Sequence, residues 1–289
     1  MVVGANRTNL ADIERASNST LGFEKVLVIG LKERTDKKDI LTLQASLTGI
    51  DLTWLEAVEA DKIKEKGLPP LAYLQGNFLA SWRSHINAVR SIVENRYASA
   101  MIMEDDMDWD VRIRNQMQDF ALGIRYLTDI DESEKQLSPY GGDWDIFWPD
   151  HCREYLPEDD DCRRFVINDD ETVAPKSEMP TLKDHLAEYP EYTRIMHKAG
   201  APICTFAYAL SARGAQKVLY HLGTRGQVSN YDNALAFMCR DGNLNLKCYS
   251  VEPFLFMHHR AARPLDKDSD NLINEHDKVC EKAFTESIV

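Results

Sequence analysis

Ala98-Ser-Ala-Met-Ile-Met-Glu-Asp-Asp-Met-Asp-Trp-Asp110 runs from an apolar strand straight into five carboxylates within seven residues. An unbroken apolar run of this length is the pattern of a strand covered on both faces. In open α/β sheets ligands gather at the carboxyl ends of strands, so acids directly after such a strand lie where a site is expected. Carboxylates packed together resist ionisation unless a cation sits among them. Hard oxygen donors at that point suit Mn2+ or Mg2+, with phosphate oxygens and water completing the shell. A solvated acidic turn is the alternative.

Outward from this stretch the chain alternates β and α. Lys25 to Leu31 reads as a buried first strand, and Asp36 to Leu47 as a helix with Ile40, Leu43 and Leu47 on its apolar side, which together open a βαβ unit. Leu52 to Val58 is a second strand, and Gly67-Leu-Pro-Pro70 then breaks the chain. Phe78, Trp82, His85, Val89 and Ile92 mark one buried face of a helix over 77–95. Ile113, Met117, Phe120, Ile124 and Leu127 repeat that stepping before a short strand at Asp143 to Trp148. From Asp150 to about Ala199 sustained periodicity lapses into acidic, proline-punctuated sequence, apart from a short helix near Leu182 to Glu188. A stretch this long reads as a functional or variable insertion. Ile203 to Ser211 then forms a strand, Ala212 to Leu222 a helix, and Ser229 or Asn230 caps another helix running to Cys239. Leu244 to Val251 is the last strand. The expectation is an α/β fold with a mostly parallel central sheet flanked by helices. Residues 1–22 form a disordered leader, 23–265 one domain with the insertion at about 150–199, and 266–289 a tail.

The chain has 289 residues, and 47 acidic against 34 basic side chains give a net charge of −13. Such a balance argues against a protein that tracks nucleic-acid phosphates, which needs a clustered basic surface. The charge is local: Glu104 to Asp110 contributes −5, and Asp150 to Glu171 contributes −6. There is no apolar run of membrane-spanning length, and Met1 to Ser19 is too polar for a signal peptide. The six cysteines lack the CxxC pairs of a zinc site. Cys152 with Cys162 and Cys239 with Cys248 stand at loop-closing distance and are disulfide candidates in an oxidising lumen, while Cys204 reads as a small buried hydrophobe.

Other residues carry chemistry with a plain alternative beside each. His258 and His259 could complete a metal shell begun by Asp106, or be an ordinary pair at the end of an apolar segment. His85, on an apolar helix stripe, is either a site residue or a hydrogen-bonded core histidine. Arg260 and Arg263 could grip phosphates as guanidinium forks or simply neutralise acidic surface. Asp232, in the first turn of a helix, is either a helix-dipole residue or a general base.

Six segments in order resemble glycosyltransferase family 25, which includes lipopolysaccharide and collagen galactosyltransferases; the pattern is closest to the fungal branch. They are Val26-Leu-Val-Ile-Gly-Leu with Arg34-Thr-Asp36, Ser81-Trp-Arg-Ser-His85, Ala100-Met-Ile-Met-Glu-Asp-Asp106, Ala207-Tyr-Ala-Leu-Ser-Ala-Arg-Gly-Ala215, Tyr231-Asp232, and Pro253-Phe-Leu-Phe-Met-His-His-Arg260. They span Phe23 to Asp270. The resemblance implies a GT-A-like fold that binds a nucleotide sugar across its first βαβ half, and metal-dependent transfer of a hexose, galactose or glucose, from a UDP-sugar to an acceptor hydroxyl with inversion. Glu104-Asp105-Asp106 matches the family's acidic motif, with Asp106 on the metal beside His258 or His259. Gly30, Arg34, Ser84, His85, Glu104, Asp105 and Arg260 are implied on the donor side, and Asp232 as the base. The resemblance also implies a glycan, glycoprotein or glycolipid acceptor and a setting in the Golgi or endoplasmic reticulum lumen, with the cytoplasm as the alternative. Gly30 and Lys32 stand where many members have Asn and Pro, and Trp82-Arg83 also departs from the bacterial pattern. A metal-dependent phosphoester or nucleotide-sugar hydrolase, and a carbohydrate-binding pseudoenzyme, are the rival readings of the same residues.

Overall fold

The computed structural model describes residues 12–68, 73–131, 134–157, 161, 163–179, 184–224, 229–260, 270 and 284–285. In chain order the first half runs β1 (Lys25–Gly30), α1 (Thr35–Thr48), β2 (Thr53–Glu56), α2 (Gly76–Asn95), β3 (Ser99–Glu104), β4 (Met107–Trp109), α3 (Ile113–Leu127) and β5 (Ile146–Trp148). The second half runs β6 (Arg164–Ile167), α4 (Asp184–Ala187), β7 (Arg194–Lys198), β8 (Ala207–Ser211), α5 (Ala212–Thr224), α6 (Tyr231–Arg240), β9 (Cys248–Glu252), β10 (Phe256–Arg260) and β11 (Phe284–Thr285).

An eight-stranded sheet orders these as β2-β1-β3-β8-β5-β9-β7-β6. β1, β2, β3, β5, β6 and β9 share one direction and β7 and β8 oppose it, so the sheet is mostly parallel. Both faces are covered, and this is why its central strands read as continuous apolar runs. Val26, Val28, Met101, Met103, Ala207 and Ala209 pack on one face with Leu41 and Ala45 of α1 and the apolar stripe of α3. Leu27, Ile29, Ala100, Ile102, Tyr208 and Leu210 pack on the other with α2, α5 and α6.

Three differences from the sequence reading have physical causes. Ile40, Leu43 and Leu47 are 46, 62 and 74% exposed, and α1 instead buries Lys37, Leu41 and Ala45. The helix is rotated so that Lys37 reaches the acids after β3. Residues 150–199 are not merely an insertion: β6 and β7 pair antiparallel, and β7 joins β9 to extend the sheet. Strands of only four and five residues leave no sustained period to read. Within the stretch expected as a leader, Ile13, Ala16 and Leu21 are buried in the core that contains α3. The short helix expected near Leu182 corresponds to α4.

Two disulfides close the structure, Cys152–Cys204 and Cys239–Cys248. The second pair was expected. The first corrects two readings, because Cys204 is bonded rather than a free hydrophobe, and Cys152 has taken it in place of Cys162, which lies outside the described residues. Residues 203–206 lead into β8, and backbone pairing of Arg153 with Ile203 brings the two thiols together.

The Ala207 to Ala215 segment contains a glycine that packing requires. A Cβ at Gly214 would overlap the backbone carbonyl of Asp145, whose own buried carboxylate takes Arg213 Nε and Lys217 Nζ, each at 2.7 Å. Gly214→Ala is therefore expected to destabilise the protein by roughly 3 kcal/mol through overpacking, lowering Tm by roughly 6 °C. Thermal unfolding followed by circular dichroism checks this.

Candidate functional site

β1, β2 and β3 end side by side, with Gly30 opposite Glu56 and Ile29 opposite Glu104. Their carboxyl ends, the start of α2 and the lead into β8 enclose a cleft of about 330 Å3. Gly30, Lys37, Ser84, His85, Glu104, Asp105, Asp106, Phe206 and Asp270 line it. After Asp106 the chain enters β4, which pairs antiparallel with β10 and sets His258 opposite Met107. The His259 N–H donates to the Asp106 carbonyl at 2.6 Å. Two segments 150 residues apart thus meet beside the acidic motif, and the His258 ring lies against Phe206 at 4.7 Å.

A buried cation already sits between the acids. Lys37 Nζ is 3.1 Å from Asp105, 3.5 Å from Asp106 and 3.1 Å from Asp270. Burial opposes its charge, but Asp106, Asp105 and Asp270 outweigh that and hold its pKa above the ordinary lysine range. Burial pushes the Asp105 carboxyl up to about 7; Lys37 pulls it down and the neighbouring Asp106 pushes it further up. Gly30 makes this arrangement fit, since a Cβ there would come within 2.9 Å of the Asp105 carboxylate and 3.0 Å of the Trp54 ring. The glycine that departs from the family pattern therefore leaves room for the motif's second acid.

Glu104 is positioned from the other side. His85 Nε2 lies 3.4 Å from its carboxylate, while Nδ1 is 3.2 Å from the Tyr208 hydroxyl. The Tyr208 and Tyr231 hydroxyls are 3.0 Å apart, and the Tyr231 ring stacks on the imidazole at 4.6 Å. His85 is thus both a core histidine and a site residue. Ser84 Oγ accepts the Val58 N–H and donates to the Ala80 carbonyl, each at 2.8 Å, which ties the loop after β2 to α2.

Other candidates fall elsewhere. Arg34 is engaged by Asp36 at 3.0 Å and by Asp270 at 2.7 Å, so its guanidinium serves the rim before any phosphate. Asp232 follows Tyr231 on α6 and its Oδ2 accepts the Cys204 N–H at 3.4 Å. The side chain of Arg260, and all of Arg263, lie outside the described residues. Lys37, Asp270, Tyr208 and Tyr231 were missed as functional positions, since a lysine in a helical first turn and a lone tail aspartate carry no local signal.

The donor set around the cleft, carboxylate oxygens with imidazoles on the adjoining strand, is chemically suited to Mn2+ or Mg2+. Among the described residues, however, the group that brings three ligand atoms within 4.8 Å of one another is His151, Glu154 and Glu252, not Asp106, His258 and His259. That buried group could hold a metal ion as well. In the cleft, Lys37 Nζ lies among the carboxylates of Asp105, Asp106 and Asp270. No known family model matches the chain.

Proposed function

We propose that this protein is a metal-dependent glycosyltransferase of GT-A type that moves a hexose from a UDP-sugar to an acceptor hydroxyl with inversion. The observation that supports it is the acidic motif at the carboxyl end of β3, opening into a cleft beside the strand that carries His258 and His259. The resemblance to family 25 supplies the reaction type. Asp106 with His258 or His259 would hold a divalent ion, which would supply Lewis-acid stabilisation of the departing diphosphate. Glu104, oriented by His85, and Asp105, oriented by Lys37, hold the ribose and sugar hydroxyls as acceptors of hydrogen bonds. Asp232 takes the proton of the acceptor hydroxyl as its oxygen bonds to the anomeric carbon and the bond to the diphosphate oxygen breaks. Arg260 contributes to the phosphates.

Two disulfides point to a non-cytosolic setting, and the lumen of the endoplasmic reticulum or Golgi is the compartment we assign. Among the described residues no helix is long and apolar enough to cross a membrane. The acceptor is a glycan, glycoprotein or glycolipid. A thermal-shift panel of UDP-galactose, UDP-glucose and GDP-mannose with and without Mn2+ tests the reading. Only a UDP-hexose with Mn2+ is expected to raise Tm, because a ligand that binds the native state stabilises it by mass action. Absence of a shift with any nucleotide sugar overturns it.

A further inference from the structure

The sheet carries a second group of ligating side chains, on strands remote in sequence from the acidic motif. His151 and Glu154 lie on the loop after β5, and Glu252 ends β9. His151 Nε2 is 3.6 Å from Glu154 Oε2 and 3.8 Å from Glu252 Oε1. His197, on β7, places Nε2 3.9 Å from Glu154 Oε2. The four side chains are 0, 0, 2 and 0% exposed.

We infer that His151, Glu154 and Glu252, backed by His197, form a structural zinc site that fastens the Pro149 to Pro157 loop to the sheet. Donors about 2.0–2.1 Å from a tetrahedral ion lie about 3.4 Å from one another, so these three separations need to contract by only about 0.2–0.5 Å. These separations are too long for hydrogen bonds, and Glu154 Oε2 is buried without a hydrogen-bond partner. Two ionised carboxylates brought together in a dry interior call for positive charge, which one divalent ion supplies.

The supporting contacts have the character expected around a metal. His197 Nδ1 is 2.9 Å from the Lys198 carbonyl, which can only accept, so Nδ1 carries the proton and the neutral ring presents the Nε2 lone pair inwards. Glu154 Oε1 accepts the Gly200 N–H at 2.9 Å, which leaves Oε2 directed at the histidines. Cys152, within the same loop, is bonded to Cys204 ahead of β8. Imidazole nitrogens and carboxylate oxygens in a dry interior favour Zn2+ over Mg2+, which prefers an octahedral, largely water-filled shell.

The experiment uses the full chain with its disulfides intact. Mass-spectrometric metal analysis after dialysis is expected to find about one zinc per chain. Chelation with dipicolinate is expected to lower Tm by about 10 °C, with ZnCl2 restoring it. Glu154→Gln and Glu252→Gln should each lose the zinc, whereas Asp106→Ala should keep it, which separates this site from the cleft whether or not the glycosyltransferase reading holds. The proposal is overturned if the wild-type chain binds no zinc and ZnCl2 leaves its Tm unchanged, a result that needs no variant to fold. Retention of zinc by both glutamine variants, or its loss in Asp106→Ala, overturns it equally.

Discussion

Asp106→Ala is expected to lower Mn2+-dependent transfer from a UDP-hexose by about 1000-fold or more, the scale on which loss of charge stabilisation at a leaving group is felt. The fold should tolerate the change. Lys37 keeps Asp105 and Asp270 at 3.1 Å each, so the buried ammonium remains paired. The Asp106 carbonyl, not its side chain, receives the His259 N–H, so the β4–β10 pairing that delivers the histidines survives. The variant thus isolates one carboxylate. Initial rates measured across a Mn2+ titration, with circular dichroism as a control on folding, check the outcome. Unchanged metal-dependent turnover would remove Asp106 from the site and with it the proposed arrangement.

Cys152→Ser is expected to cost about 4 kcal/mol of stability, the chain-entropy value for a bridge closing a loop of this size. Cys152 and Cys204 are 52 residues apart, whereas Cys239 and Cys248 are 9 apart, and the same relation gives about 3 kcal/mol for the shorter loop. The longer bridge also lies next to the proposed base. It joins the loop bearing His151 and Glu154 to Cys204, whose N–H holds Asp232 at 3.4 Å. Urea unfolding without reductant measures the loss, and a non-reducing peptide map is expected to recover Cys152 linked to Cys204. A map linking Cys152 to Cys162 would instead restore the pairing that chain proximity favours.

Periodicity exposed most of the architecture because it reports how often a residue meets the core. β1 and β3 are buried on both faces, α2 and α3 on one, and each left the corresponding pattern. The same signal failed where burial and polarity part company. On α1 the helical repeat of Ile40, Leu43 and Leu47 is real, yet the buried side carries Lys37, whose ammonium is compensated by three carboxylates brought from outside its helix. β6 and β7 are too short to show alternation, and Arg194 is buried where Asp170 pairs with it at 2.7 Å.

The amino-acid order alone determined that an apolar strand would deliver Glu104, Asp105 and Asp106 at its carboxyl end, because strand burial and strand termination are local properties. Only the tertiary structure decided which partners they meet. Lys37, His85 and Asp270 converge on them, and His258 and His259 arrive through a strand pairing between segments 150 residues apart. The same holds for His151, Glu154, His197 and Glu252, and for the choice of Cys204 by Cys152. Contacts between distant segments follow from how helices and strands pack, and no spacing along the chain encodes them.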